Sequence, residues 1–92
     1  MTKILHVAIK GRVQGVGYRA WTLRSAQALG LRGWVRNRRD GSVEAVFKGD
    51  EDKVVRMLEG CWRGPRSAAV SEVVATAVPD ENWPDFSVRQ SL

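Results

Sequence analysis

Asp40-Gly41 lies between two extended segments, and this dipeptide fixes the relative direction of the strands on either side of it. Asp and Gly tolerate the positive φ angles of a two-residue hairpin turn, so Leu31 to Asn37 and Val43 to Lys48 must run antiparallel. Upstream, residues 4–10 alternate, with Leu5, Val7 and Ile9 on one face and His6, Ala8 and Lys10 on the other. That is the period of a strand with one buried side. A glycine-punctuated loop, Gly11 to Gly17, leads into a helix from Tyr18 to Leu29 with an apolar arc of Ala20, Leu23, Ala26 and Leu29. Gly30 stands where a helix C-terminal glycine belongs.

After the hairpin, Asp50 is placed to cap a second helix, with Glu51 and Asp52 acidic in its first turn. Val54, Leu58 and Cys61 fall at i, i+4 and i+7, Val55 and Trp62 widen the stripe, and Gly64-Pro65 ends the helix. Val70 to Val78 reads as a fourth strand stopped by Pro79, and Phe86 with Val88 as a short edge strand. The order predicts an α+β fold, a ferredoxin-like βαββαβ sandwich with two helices on one face of a four- to five-stranded antiparallel sheet.

A chain of 92 residues is one small domain, residues 1–92, and buries roughly 60–65% of its unfolded surface. No apolar run approaches the ~20 residues of a membrane helix. The N-terminus turns polar too soon for a secretory segment, so the expected location is cytoplasmic. One cysteine, Cys61, excludes an internal disulfide, and with a single histidine, His6, the chain has no means of building a thiolate or His-rich metal centre. No metal and no cofactor are expected. His6 falls on the open face of the first strand, far from the glycine loop, and reads as a surface residue. The formal charge of +5 favours anionic partners: phosphate esters, acidic metabolites or nucleic acid.

The chemistry gathers in Gly11-Arg12-Val13-Gln14-Gly15-Val16-Gly17-Tyr18-Arg19, which joins a strand end to a helix start. Glycines let the backbone curl so that successive N–H groups converge, and a helix N-terminus adds unpaired donors and partial positive charge. Arg19 contributes a permanent cation whose planar fork matches two phosphate oxygens. A Walker A loop is excluded because no Gly-Lys-Ser/Thr follows. Gly15-x-Gly17-x-x-Ala20 fits a relaxed dinucleotide fingerprint, but the hairpin breaks the parallel sheet that this site requires. In a right-handed crossover the first two strands are parallel, which brings Asn37 to the sheet edge that carries Arg19. Its amide both donates and accepts, as positioning a water beside a phosphate requires.

Val13-Gln14-Gly15-Val16-Gly17-Tyr18-Arg19, followed by Gly33-Trp34-Val35-Arg36-Asn37-Arg38-Arg39-Asp40-Gly41-Ser42-Val43-Glu44, closely resembles the acylphosphatase family. The likeness spans essentially the whole chain, through Gly64-Pro65 to Phe86. It implies hydrolysis of acyl phosphates to a carboxylate and inorganic phosphate, a hydrolase acting on acid anhydrides. It implies Arg19 and Asn37 as the catalytic pair, Arg19 holding phosphate and Asn37 orienting water. The loop residues Gln14, Gly15, Val16, Gly17, Tyr18 and Arg19 would be the phosphate-binding cradle, with Gln14 and Tyr18 serving its shape and packing. Where the family often has Phe, this chain has Tyr18, and the run Arg36, Arg38, Arg39 is unusually basic.

Such a site needs neither metal nor cofactor, and a chain of this size is expected to act as a monomer. The rival function is a small anion- or nucleic-acid-binding module of the same fold without turnover. RNA-recognition domains share the element order but stack bases on central-strand aromatics. On the open face the first strand here offers His6 and Ala8, and the third Glu44, Val46 and Lys48. Nucleic acid is therefore expected only as incidental charge attraction. Trp21, Trp34, Trp62 and Trp83 read as packing residues, and Cys61 as an inert core thiol.

Overall fold

The computed structural model describes residues 1–92. Five strands, β1 (Thr2–Arg12), β2 (Arg32–Asn37), β3 (Val43–Asp50), β4 (Ala69–Ala77) and β5 (Phe86–Val88), form one sheet in the order β4-β1-β3-β2-β5. Helices α1 (Tyr18–Ala28) and α2 (Glu51–Cys61) cover one of its faces. The hairpin forms around Asp40-Gly41 as expected, but its loop spans residues 38–42 rather than two residues, and only Gly41 in it takes a positive φ. Gly41 has φ +90°, and Asp40 Oδ1 accepts from the Ser42 N–H (3.0 Å) and from the Ser42 hydroxyl (2.6 Å). These bonds hold the Asp40 carboxyl below the usual carboxylate range.

Leu5, Val7 and Ile9 bury the helix-facing side of β1 as the alternation requires. They meet Val35 from β2, Ala45 and Phe47 from β3, and Val54, Met57 and Cys61 from α2, while Phe86 stacks on Phe47 at 5.6 Å between centroids. That stacked pair contributes about 0.5–1.5 kcal/mol beyond its area. No helix is long and apolar enough to cross a membrane.

The expected all-antiparallel sheet is corrected at one edge, because β5 runs parallel to β2. The cause is topological. The chain leaves β4 at the end of the sheet where β2 begins, crosses through residues 78–85, and enters β5 in the direction of β2. Gly33 N–H donates to the Asp85 carbonyl (3.0 Å) as it does so. The strand β1 also extends further than expected, through a bulge at Lys10/Gly11 to Arg12, which shortens the loop to residues 13–17.

Both helices bury stripes that only partly match their sequences: Ala26, Val54 and Cys61 are buried as expected, and Leu23, Leu29 and Leu58 pack against the core from its margin. In α1 the buried residues are Tyr18, Thr22 and Ala26, whereas Ala20 is exposed and Leu23 and Leu29 are half-buried. Thr22 is admitted to the core because its hydroxyl donates to the Tyr18 carbonyl (2.8 Å), leaving no polar group unpaired. In α2, Val54, Met57 and Cys61 face inward, Val55 is exposed and Trp62 is 53% exposed. Asp50 occupies the N-cap position without a side-chain bond, and Glu51 N–H donates instead to the Met1 carbonyl (2.8 Å).

The other face of the sheet is less open than expected. The crossing segment lays Trp83 over Trp34 and Val46 as a second small core. The guanidiniums of Arg36 and Arg89 each stand 4.8 Å from the centre of the Trp34 ring. Glu44 is on this face as the alternation implies, yet only 5% exposed. It accepts from His6 Nε2 (2.8 Å) and from Arg36 Nε, so His6 is half-buried and paired rather than a free surface residue. Burial alone would push the Glu44 carboxyl up, but the bonds from His6 and Arg36 outweigh it and hold the group below its ordinary value near 4.5.

A carboxyl depressed by folding stabilises the fold above its unfolded pKa, and that contribution disappears as pH falls through the folded value. Thermal midpoints measured from about pH 7 down to about pH 3 should fall in part through Glu44. Glu44→Gln should cost about 1–3 kcal/mol at neutral pH and give a flatter profile below the ordinary Glu value. Parallel profiles for the two proteins would show that Glu44 titration is uncoupled from folding.

Candidate active site

Gly15 (φ +75°) and Gly17 (φ +80°) take the left-handed backbone conformation that a Cβ disfavours. Gly17 is also the N-cap of α1 and provides no side-chain oxygen to the helix. The amide groups from Gly15 to Ala20 consequently donate to no acceptor within the protein, the first helical donor to be satisfied being Trp21 N–H on the Gly17 carbonyl (3.0 Å). A run of unpaired N–H groups at a helix start is an anion-binding arrangement, with the helix dipole adding partial positive charge.

Gln14 fixes where this loop sits. Its side-chain amide donates to the Arg38 carbonyl (2.7 Å) and the Ser42 carbonyl (2.9 Å), fastening the loop to the β2–β3 hairpin. Tyr18 fixes the other end: its hydroxyl donates to the Cys61 carbonyl (2.7 Å), and its ring meets Trp21 edge-on at 5.3 Å. Burial pushes the Tyr18 phenol well above its ordinary value, and burial pushes the Cys61 thiol up to about 12. Both groups stay protonated at neutral pH, so neither is a nucleophile.

Arg19 and Asn37 come together as the crossover geometry predicts. They share the walls of a cavity of about 410 Å³ with Val13, Gly15, Gly17, Tyr18, Ala20, Leu23 and Val88. Arg19 belongs to none of the chain's ion pairs. Asn37 closes the β2 ladder opposite Val43, and its carbonyl accepts from Leu92 N–H (3.2 Å), while its side-chain amide is bonded to nothing in the protein. The side chains of Gln14 and Val16 do not line the cavity: Gln14 serves the loop's shape, as expected of it, through its bonds to the hairpin, and Val16 packs against the core. The basic run is also divided. Arg36 is turned to the opposite face by its bond to Glu44, whereas Arg38 and Arg39 flank a separate shallow hollow beside Leu92.

Leu23 and Val88 also line the cavity; the sequence placed them in an apolar arc and an edge strand, not at the site. The signal for Leu23 was its position four residues after Arg19, which sets both on one side of the helix. For Val88 no local signal exists, since it reaches the cavity only through the parallel return of β5.

Fold and loop define the chain as a small α+β sandwich with a glycine-rich strand-to-helix turn and one free arginine at a sheet edge. The acylphosphatase family model matches residues 5–88. An acylphosphatase of Rhodospirillum rubrum is 52% identical over 90 residues, covering 98% of this chain and 99% of its own. One from Rhodopseudomonas palustris is 62% identical over 78 residues, 84% of this chain and 79% of the other. The structure of an acylphosphatase from Coxiella burnetii superposes with a TM-score of 0.92 at 40% identity, over 96% of this chain and 93% of that one. This chain belongs to the acylphosphatase family.

Proposed function

We propose that the chain hydrolyses the carboxyl–phosphate bond of acyl phosphates, with Arg19 and the loop N–H groups holding the phosphoryl group and Asn37 orienting the attacking water. The observation that carries this reading is the meeting of one unpaired cation and one unbonded amide in a cavity bordered by N–H groups without protein acceptors. An acyl phosphate is an activated anhydride with a good leaving group, so its hydrolysis asks chiefly for positioning and for neutralisation of the equatorial oxygens. The water oxygen bonds to phosphorus as the bond from phosphorus to the acyl oxygen breaks, and the carboxylate leaves with that electron pair. Asn37 cannot take a proton at neutral pH, so the water proton passes to a phosphoryl oxygen of the substrate.

The site is read as working without metal or cofactor. Supporting this, the cavity wall offers a guanidinium, an amide and backbone groups, and no carboxylate, imidazole or thiol. It is also read as complete in one chain, which suits a monomer. Nucleic acid is read as an incidental partner, because Trp34, the aromatic of the central strands on the open face, is covered by Trp83 and two guanidiniums.

The test is release of inorganic phosphate from benzoyl phosphate by the purified chain, with and without EDTA. Turnover is expected in both, with competitive inhibition by inorganic phosphate. Activity that a chelator removes and a divalent cation restores would replace this mechanism with a metal-dependent one. A folded chain that binds phosphate without turnover would reduce the site to an anion-binding module.

A further inference from the structure

We propose that Leu23 and Val88 form an acyl subsite that makes this chain prefer acyl phosphates with an uncharged, apolar acyl group. The proposal rests on the phosphatase reading above and adds the part of the substrate that the phosphate cradle leaves unassigned. The donors of the cavity are concentrated on the loop, on Arg19 and on Asn37. Beyond them, the wall between α1 and β5 is built from Ala20, Leu23 and Val88, none of which has a side-chain hydrogen-bonding group.

Two features mark this wall as more than ordinary packing. Leu23 lies beside the buried stripe of α1, Tyr18, Thr22 and Ala26; it packs in part against the core but is only half-buried, and it also borders the cavity. Val88 is 43% exposed at the end of β5, an apolar side chain left open to solvent in a strand that pairs beside the Asn37-bearing β2. A cavity of about 410 Å³ has room for more than a phosphoryl group and lies within the range of small-molecule sites. With the phosphoryl group held by Arg19, the acyl carbon points away from the donors and toward the apolar side chains of Leu23 and Val88. Removing water from that wall favours an aromatic or aliphatic substituent and disfavours a second carboxylate, which would lose hydration there and gain no partner.

The test compares benzoyl, acetyl and succinyl phosphates on the wild-type chain, Leu23→Ser and Val88→Ser, with the inhibition constant of inorganic phosphate measured on each. The wild type should favour benzoyl over acetyl phosphate by ~10-fold or more in kcat/KM, the scale set by a few buried carbons, and succinyl phosphate should be the poorest. Each Ser variant should shrink the benzoyl-to-acetyl ratio in kcat/KM several-fold, with the loss falling mainly on benzoyl phosphate. Val88→Ser changes an exposed position and keeps the test valid should Leu23→Ser fold poorly. Unchanged ratios in the folded variants, or a wild-type preference for succinyl phosphate, would overturn the acyl subsite and leave the phosphatase reading standing. Turnover of none of the three substrates would overturn both.

Discussion

Arg19→Ala is expected to lower kcat/KM for benzoyl phosphate by at least ~10²- to 10³-fold, the scale seen when one preorganised donor is removed from a site where charge develops. The guanidinium is the one charged group in the cavity wall and is held by no carboxylate, so its charge is wholly available to a bound anion. The remaining donors are neutral N–H groups that carry the partial charge of a helix end. Inhibition by inorganic phosphate should weaken in parallel, since the same cation meets product and substrate. Arg19→Lys should restore only part of the loss, because an ammonium supplies charge without the two-pronged geometry. The thermal midpoint should hardly move, as Arg19 is half-buried and makes no ion pair. Near-normal turnover in folded Arg19→Ala would place the phosphoryl group elsewhere.

The meeting of Arg19 and Asn37 at one cavity was legible before the structure because local rules place both. Glycines at 15 and 17 and a helix starting at Tyr18 put Arg19 in a first turn, and the handedness of a βαβ crossover puts Asn37 on its edge. The β1 face of Leu5, Val7 and Ile9 was legible by period alone. What escaped the sequence depends on distant partners. The direction of β5 is set by where β4 ends, and a three-residue strand carries no mark of its own polarity. Thr22 enters the core through a bond to its own helix, and Trp62 lies outside the core as the C-cap just past the end of α2. Gln14 was expected to serve loop shape, but spacing could not show that it does so by bonding to the carbonyls of Arg38 and Ser42. Glu44 was expected on the open face, but its burial depends on His6 and Arg36 approaching from two different strands.

Asn37→Ala separates an enzyme from a binding module more sharply than the loss of Arg19 does. If Asn37 orients water and touches the phosphoryl group little, its removal should cut kcat strongly, by ~10²-fold or more, because that contact matters chiefly in the transition state. The inhibition constant of inorganic phosphate should change only modestly, because the loop N–H groups and Arg19 remain in place. A residue that bound the ground state instead would raise KM and leave kcat alone. The fold should persist. The Asn37 side chain is bonded to nothing else in the protein, and its place in the β2–β3 ladder depends on backbone groups that alanine retains. The Gln14 bonds to Arg38 and Ser42 also survive, so the loop keeps its attachment to the hairpin. Measuring kcat, the phosphate inhibition constant and the thermal midpoint on one preparation distinguishes the cases. Full kcat in the variant, or activity lost only together with the fold, would make Asn37 a hairpin-entry residue and move the positioning of water to another group on the cavity wall.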